Sequence, residues 1–334
     1  MRAWIVDRPG PIATGPLTCA DRPVPEPGPG EVRVRVRTCG VCRTDLHLAE
    51  GDLPPRRHGV VPGHEIVGVV DALGPGADRF AIGDRIGIAW LRRVCGTCRF
   101  CRRGDENLCV APRFTGWDAD GGYAEHALID QAYAYRLPAA FDDDHAAPLL
   151  CAGIIGYRAL RQAQLPVGGR LGVYGFGASA HLAMQVAIFE GAAVHVVTRS
   201  TAARRHALDL GAASARSPEQ GPPEPLDAAI TFAPAGEVVP AALAALDRGG
   251  TLAIAGIHLT DIPSMRYAEH LFGERKLVSV TANTRADGQA FLDIAAQIPI
   301  RVEVTPFALT DADAALHALA AGEIRGAGVL RVPA

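Results

Sequence analysis

Leu171-Gly172-Val173-Tyr174-Gly175-Phe176-Gly177-Ala178-Ser179-Ala180 is the stretch on which the fold turns. Four strand-forming residues run into two glycines and then into a helix-forming series, in the pattern Gly-x-Gly-x-x-Ala. Glycines at Gly175 and Gly177, with the small Ala180, let backbone approach a pyrophosphate at a helix N-terminus. Alone the pattern is weak, and a plain glycine turn is the other reading. Its surroundings strengthen it. From about Arg170 the chain alternates strand and helix: strands are predicted at 171–174, 193–197, 228–232, 251–256 and 277–281, with helices at 180–190, 201–210 and 238–246. That alternation implies an α/β chain with a parallel, doubly wound sheet.

Before the glycine turn the pattern differs. Arg33-Val34-Arg35-Val36-Arg37 alternates polar and apolar after a turn-rich segment, and 66–70 and 85–89 read as further short strands. The last fifty or so residues return to a mixed pattern, with a helix expected at 311–321. No internal repeat is visible, and 217–225 is a proline-rich surface loop. A length of 334 residues accommodates about two domains.

Composition removes several function classes. The chain carries 33 basic and 36 acidic residues, a formal net charge of −3, which disfavours nucleic acid or an anionic membrane as partner. Lys276 is its one lysine, so Schiff-base chemistry would rest on that residue alone. Residues 1–9 lack an apolar run of signal-peptide length, and no apolar run approaches a membrane span. A cytoplasmic protein is expected. In a reducing compartment its 8 cysteines are better placed to bind metal than to pair as disulfides.

Four of them form Cys95-x2-Cys98-x2-Cys101-x7-Cys109. Four thiolates close a tetrahedron around zinc and leave no position for chemistry. An iron–sulfur cluster is the rival reading; the x7 gap and the lack of a proline after Cys109 count against it. The arginines around the cluster read as a solvated lobe, since no stacking aromatics are interleaved to suggest nucleic acid.

A second constellation is dispersed: Cys42-Arg43-Thr44-Asp45-Leu46-His47, then Gly63-His64-Glu65, then Cys151. Each piece is weak alone. Together they offer two thiolates and an imidazole, enough for zinc with one position open as a Lewis acid. Thr44 and His47 add a hydroxyl and an imidazole, the parts of a proton relay.

In the order of these motifs, with Trp90, Gly121-Gly122-Tyr123-Ala124-Glu125 and Cys151-Ala152-Gly153, the chain resembles the zinc-dependent alcohol dehydrogenases of the medium-chain dehydrogenase/reductase superfamily over essentially its whole length. The resemblance implies a GroES-like catalytic domain at 1–151 and 283–334, with a zinc lobe at about 90–112, and a Rossmann domain at 152–282. It implies Cys42, His64 and Cys151 as catalytic zinc ligands, Glu65 as a carboxylate that can exchange onto the metal, and Asp45 as the group orienting His64. Thr44 and His47 match the relay, Arg43 a pyrophosphate contact, and Leu53 and Trp90 the substrate pocket. Cys19 and Cys39 match no ligand. Two zinc ions per chain follow, one catalytic and one structural, with a small-molecule alcohol or an aldehyde or ketone as substrate and a homo-oligomer, dimer or tetramer, as the assembly.

Two departures bear on the cofactor. Where many relatives carry an acidic residue for the ribose diol of NAD, this chain reads Val197-Thr198-Arg199-Ser200. That favours NADP, held by Thr198, Arg199 and Ser200, with NAD still possible. Ala327 stands where relatives place a phosphate-binding arginine, unless Arg325 substitutes. Rival functions are a polyol dehydrogenase, a reductase of unsaturated aldehydes, or a non-catalytic zinc and nucleotide binding protein.

Overall fold

The computed structural model describes residues 1–333. The chain divides into two compact units, the first made of Met1–Cys151, Ala282–Ala296 and the segment from Val302 onward. The second comprises Ala152–Thr281 and Gln297–Arg301. The short Gln297–Arg301 piece joins the second unit because Gln185 and Arg301 exchange two hydrogen bonds, at 2.8 and 3.0 Å.

In the first unit a seven-stranded sheet runs in the order Val304–Ala308, Ala327–Arg331, Glu31–Val41, Ile66–Leu73, Arg85–Ile88, Ala134–Arg136, with His126–Asp130 also paired to Glu31–Val41. The alternation in Glu31–Val41 is the alternation of faces in a strand. Val32, Val34 and Val36 are almost wholly buried. The register slips between Val36 and Thr38, and from Thr38 to Val41 every residue is buried. The strand therefore ends inside the protein, where the chain turns at Cys42 into the helix Arg43–Glu50. Pairing then gathers the site: Cys39 lies opposite Ile66, and Ile66 opposite Ile88. This brings His64-Glu65 and Ala89-Trp90, which flank those residues in sequence, to one end of the sheet.

The second unit holds a parallel six-stranded sheet in the order Ser214–Arg216, Ala193–Val197, Arg170–Tyr174, Leu226–Thr231, Leu246–Ile254, Lys276–Ser279. Its inner strands are near-continuous apolar runs because helices cover both faces. Leu171, Val173, Val196, Ile230 and Leu252 are fully buried. The strand order reverses between Arg170–Tyr174 and Leu226–Thr231, and the glycine turn leaves the carboxyl end of the first of these. Ligands of such sheets bind at that crevice.

Three helices expected from sequence lie at Ala178–Phe189, Thr201–Asp209 and Val238–Ala244. The expected C-terminal helix is Ala312–Ala321. Sequence reading missed the strand Ser214–Arg216, the helices Ala152–Gln162 and Arg285–Ala295, and the antiparallel pair Arg2–Val6 and Leu17–Asp21. Among the described residues no helix is long and apolar enough to cross a membrane.

Candidate metal centres and cofactor cradle

The four lobe cysteines converge, with every pair of sulfurs within 4.8 Å. Local backbone does much of this. The amides of Cys98 and Cys101 point at the sulfurs of Cys95 and Cys98, at 3.4 and 3.5 Å, and Cys95 and Ala111 both donate to Cys109 Sγ. Amide donors favour the thiolate form: those of Thr97 and Cys98 lower the Cys95 thiol to about 6. Four sulfurs in this geometry suit a tetrahedral, closed metal site.

A second donor set sits at the end of the first-unit sheet. Cys42, His64, Glu65 and Cys151 bring one ligand atom each to within 4.8 Å of the others. His64 Nε2 lies 3.3 Å from Cys151 Sγ, and the two sulfurs are 3.9 Å apart. Asp45 organises the set. Its carboxylate, 2% exposed, accepts the amides of Cys42 and Gly63 at 2.9 Å each, the His64 Nδ1–H at 3.2 Å and the Tyr123 hydroxyl at 3.3 Å. The carboxylate is an acceptor only, so His64 carries its hydrogen on Nδ1 and turns Nε2 toward the sulfurs. Burial works against a charge on His64, but Asp45 outweighs it and raises the ring well above its ordinary value. The hydrogen bond from Cys151 lowers the Cys42 thiol well below its usual value against burial, while Cys151 itself is raised. Two soft sulfurs, an imidazole and a carboxylate fit zinc with an exchangeable position.

Burial pushes the Glu65 carboxyl well up, and Cys42 beside it pushes the same way. The side chain packs over Gly40: a Cβ there would stand 2.0 Å from Glu65 Oε2. Thr44 lies on the first turn of the Arg43–Glu50 helix with its hydroxyl 3.8 Å from Cys42 Sγ, and His47 follows on the next turn. Arg43, at the start of that helix, is exposed. Trp90 meets the His64 ring edge-on at 5.0 Å and lies nearly parallel to Phe114 and Trp117, at 4.8 and 6.0 Å. Arg56 covers Trp117 at 3.7 Å and pairs with Asp118 at 2.7 Å. Leu53, half-buried, is held by its amide to His47 O at 3.0 Å. The sequence pattern assigned no role to Gly40, Tyr123 or Phe114; only Tyr123 stood inside a recognised motif.

In the second unit the helix Ala178–Phe189 begins at Gly177 with no side-chain cap and no acidic residue in its first turn. Gly177 is exposed, and a Cβ on it would meet nothing within 4 Å. An uncapped helix N-terminus behind an open glycine suits the pyrophosphate of a dinucleotide. Ala180, fully buried, lets the first turn pack closely. Thr198 follows the adjacent strand, with its amide on Arg216 O at 3.0 Å. Ser200 caps the Thr201–Asp209 helix by accepting from Ala203 N at 3.2 Å. Arg199 is exposed between them, and Arg204 braces the turn by donating to Thr198 O and Arg199 O, both at 2.8 Å. Arg325, in the first unit, engages Glu303 through two bonds of 3.1 Å.

A dinucleotide-binding unit joined in one chain to a sheet-borne zinc donor set is the plan of the medium-chain dehydrogenases, and comparison with known proteins narrows it. Residues 28–139 match the alcohol dehydrogenase GroES-like domain family. The probable alcohol dehydrogenase AdhA of Mycobacterium tuberculosis is 58% identical, over 99% of this chain and 97% of the relative. An alcohol dehydrogenase of Geobacillus stearothermophilus is 35% identical, over 89% and 90%. The solved cinnamyl alcohol dehydrogenase of Sorghum bicolor superposes with a TM-score of 0.89 at 30% identity, over 99% of this chain and 97% of that one. The chain belongs to the zinc-dependent alcohol dehydrogenase family. It is an oxidoreductase that interconverts an alcohol and an aldehyde or ketone, using zinc and a nicotinamide cofactor.

Proposed function

We propose that Cys42, His64 and Cys151, with Glu65 in exchange, hold the catalytic zinc, and that Cys95, Cys98, Cys101 and Cys109 hold a second, structural one. The observation that carries this is the Asp45 carboxylate, which fixes the His64 tautomer and aims Nε2 at the two sulfurs. Bound there, zinc supplies a Lewis acid for the alcohol or carbonyl oxygen, and the nicotinamide takes or returns the hydride. The chain's own groups handle the proton. Thr44 accepts it beside Cys42 and His47 carries it toward solvent. Trp90, stacked on Phe114 and Trp117, walls the substrate side, with Leu53 just past the end of the Arg43–Glu50 helix. Trp90, backed by its stack with Phe114 and Trp117, offers an apolar aromatic wall, which favours an aromatic or unsaturated alcohol over a polyol.

NADP(H) is the preferred cofactor. Gly175 and Gly177 would hold its pyrophosphate, and Thr198, Arg199 and Ser200 its 2′-phosphate. The working form is a cytoplasmic homo-oligomer. Support comes from Ile257, Tyr267 and Phe272, each at least 65% exposed, and from the open edge strand Lys276–Ser279. Metal analysis of the purified protein tests the assignment: two zinc ions per chain are expected, with Cys151→Ala losing one ion and turnover while staying folded. Iron with sulfide, or a single ion in the parent, would refute it.

A further inference from the structure

We propose that Arg216 is a specificity-determining residue, a second guanidinium for the 2′-phosphate of NADP supplied from the strand beside the Thr198–Ser200 turn; the inference rests on reading that turn as the 2′-phosphate site. The strand Ser214–Arg216 is an edge of the second-unit sheet and runs parallel to Ala193–Val197. Arg216 stands opposite Val197 in the register, and its carbonyl accepts the Thr198 amide at 3.0 Å. Alternate residues of a strand share a face, so Arg216 lies on the face of Ser214, whose hydroxyl meets His195 Nδ1 at 2.9 Å. The sheet order sets three sites in a line. The glycine turn follows Arg170–Tyr174, Thr198 follows Ala193–Val197, and Arg216 ends the next strand outward. A dinucleotide lies across the carboxyl ends of such strands, with its pyrophosphate at the first. The ribose diol is on the far side of the ring from the 5′-oxygen, so a 2′-phosphate extends in the direction of the edge strand.

Three arginines stand at this end of the sheet, and they are not equivalent. Arg204 donates to Thr198 O, Arg199 O and the Thr201 hydroxyl. Arg199 is exposed on the turn itself. Arg216 is half-buried, and among the described residues no hydrogen bond or ion pair holds its guanidinium. The acids of the loop that follows are engaged elsewhere: Glu219 with the Ser217 side chain, Glu224 with His195 at 3.3 Å and Arg170 at 3.7 Å. A guanidinium that has lost part of its water and has no carboxylate gains from an incoming oxyanion. A phosphate monoester carries about −1.5 to −2 charges at neutral pH, more than one arginine balances. Arg199 from the turn and Arg216 from the strand supply two. NAD has a hydroxyl in that place and offers Arg216 no charge to meet, so the residue discriminates between the cofactors.

The test uses zinc-loaded protein and the variants Arg216→Gln, Arg216→Lys and Arg199→Ala. Calorimetry with adenosine 2′,5′-bisphosphate and with 5′-AMP reads the 2′-phosphate contact without turnover. The parent is expected to bind the bisphosphate more tightly. Arg216→Gln should lose about tenfold on the bisphosphate and stay within about twofold on 5′-AMP, and Arg216→Lys should recover part of the loss. In steady-state kinetics Arg216→Gln should raise KM for NADP by about the same factor and hold KM for NAD. Parent affinity for the bisphosphate in Arg216→Gln, beside a weakened Arg199→Ala, would overturn the proposal and leave the NADP reading standing. Equal losses on both nucleotides would also overturn it, since they mark a residue that only holds the turn. A parent that binds the two nucleotides alike and uses NAD better would overturn the NADP reading and this proposal with it.

Discussion

Tyr123 and Asp45, 78 residues apart in sequence, meet in the interior with the tyrosine hydroxyl 3.3 Å from Asp45 Oδ2. The tyrosine is wholly buried, and the carboxylate it touches also holds His64. Asp45 is therefore the junction of three segments: the Cys42 helix start, the Gly63-His64 loop and the Gly121-Gly122-Tyr123 turn. A buried carboxylate with four donors around it is a satisfied group, and removing its charge leaves those donors facing a weaker acceptor.

Asp45→Asn should accordingly weaken zinc retention at the mixed site by about 10–100-fold, because the His64 tautomer is no longer imposed. Competition with a chelator measures this, with the lobe zinc as internal control. Retention equal to the parent at both sites would show that Asp45 does not orient the ligand. Tyr123→Phe removes one donor of the four and should have the smaller effect in the same assay.

Gly40 makes a separate prediction about packing. A methyl group there would stand 2.0 Å from Glu65 Oε2 and 2.7 Å from its Cβ, contacts that no side-chain rotation at Gly40 can relieve. Gly40→Ala should cost about 1–3 kcal/mol of stability by overpacking. It should also displace Glu65 from the donor set, so turnover falls even where the protein is folded. An alanine variant with parent melting temperature and parent kcat would mean that the Glu65 side chain is free to sit elsewhere.

Acid should loosen the zinc lobe from its neighbour. Glu106 accepts the backbone amide of Arg285 at 3.0 Å and its guanidinium through both carboxylate oxygens. Burial raises the Glu106 carboxyl, but the bonds from Arg285 outweigh it and hold it below its ordinary value. A carboxyl depressed in the folded state contributes stability that is present above its unfolded value and disappears as pH falls through the folded one. The pair is part-exposed, so solvent screening limits it to about 1 kcal/mol. Thermal melts should therefore show the parent losing its advantage over Glu106→Gln below about pH 4.5. Parallel melting curves across that range would exclude the contribution.

What the sequence disclosed and what it hid follow from distance along the chain. The glycine turn and the Cys95–Cys109 spacing are local patterns, and the amides that shape the lobe belong to the same short segment. Strands 193–197 and 170–174 were legible because a sheet covered on both faces needs continuous apolar runs. The helix Ala152–Gln162 was not: Gly153 and Gly156 lower its apparent propensity. Gly156 is small for a tertiary reason, since a Cβ on it would come 2.8 Å from Ser179 O on the neighbouring helix. Phe114 stayed hidden because nothing nearby in sequence records its stacking on Trp90. Arg204, in the first turn of the Thr201–Asp209 helix, spends its guanidinium on the Thr198 and Arg199 carbonyls and the Thr201 hydroxyl.

That last contact sharpens the cofactor prediction to one side chain. With Arg204 bracing the turn, Arg199 is an exposed cation beside Thr198, and the residue that follows the strand is a threonine rather than a carboxylate that would repel a 2′-phosphate. Ser200 Oγ accepts the helix-capping bond from Ala203 N, which leaves its own hydrogen for a phosphate oxygen. A charge-assisted arginine–phosphate bond contributes about 1.5–3 kcal/mol, so one such bond accounts for a preference of roughly tenfold or more. Arg199→Ala should raise KM for NADP by about that factor, leave KM for NAD within about twofold, and make the loss shrink as salt screens the pair. Arg204→Ala should harm both cofactors together, because it loosens the turn rather than removing a phosphate contact. Steady-state kinetics of parent and both variants with each cofactor decide the matter. Better use of NAD than NADP by the parent, unchanged in Arg199→Ala, would reverse the preference and leave the dehydrogenase chemistry untouched.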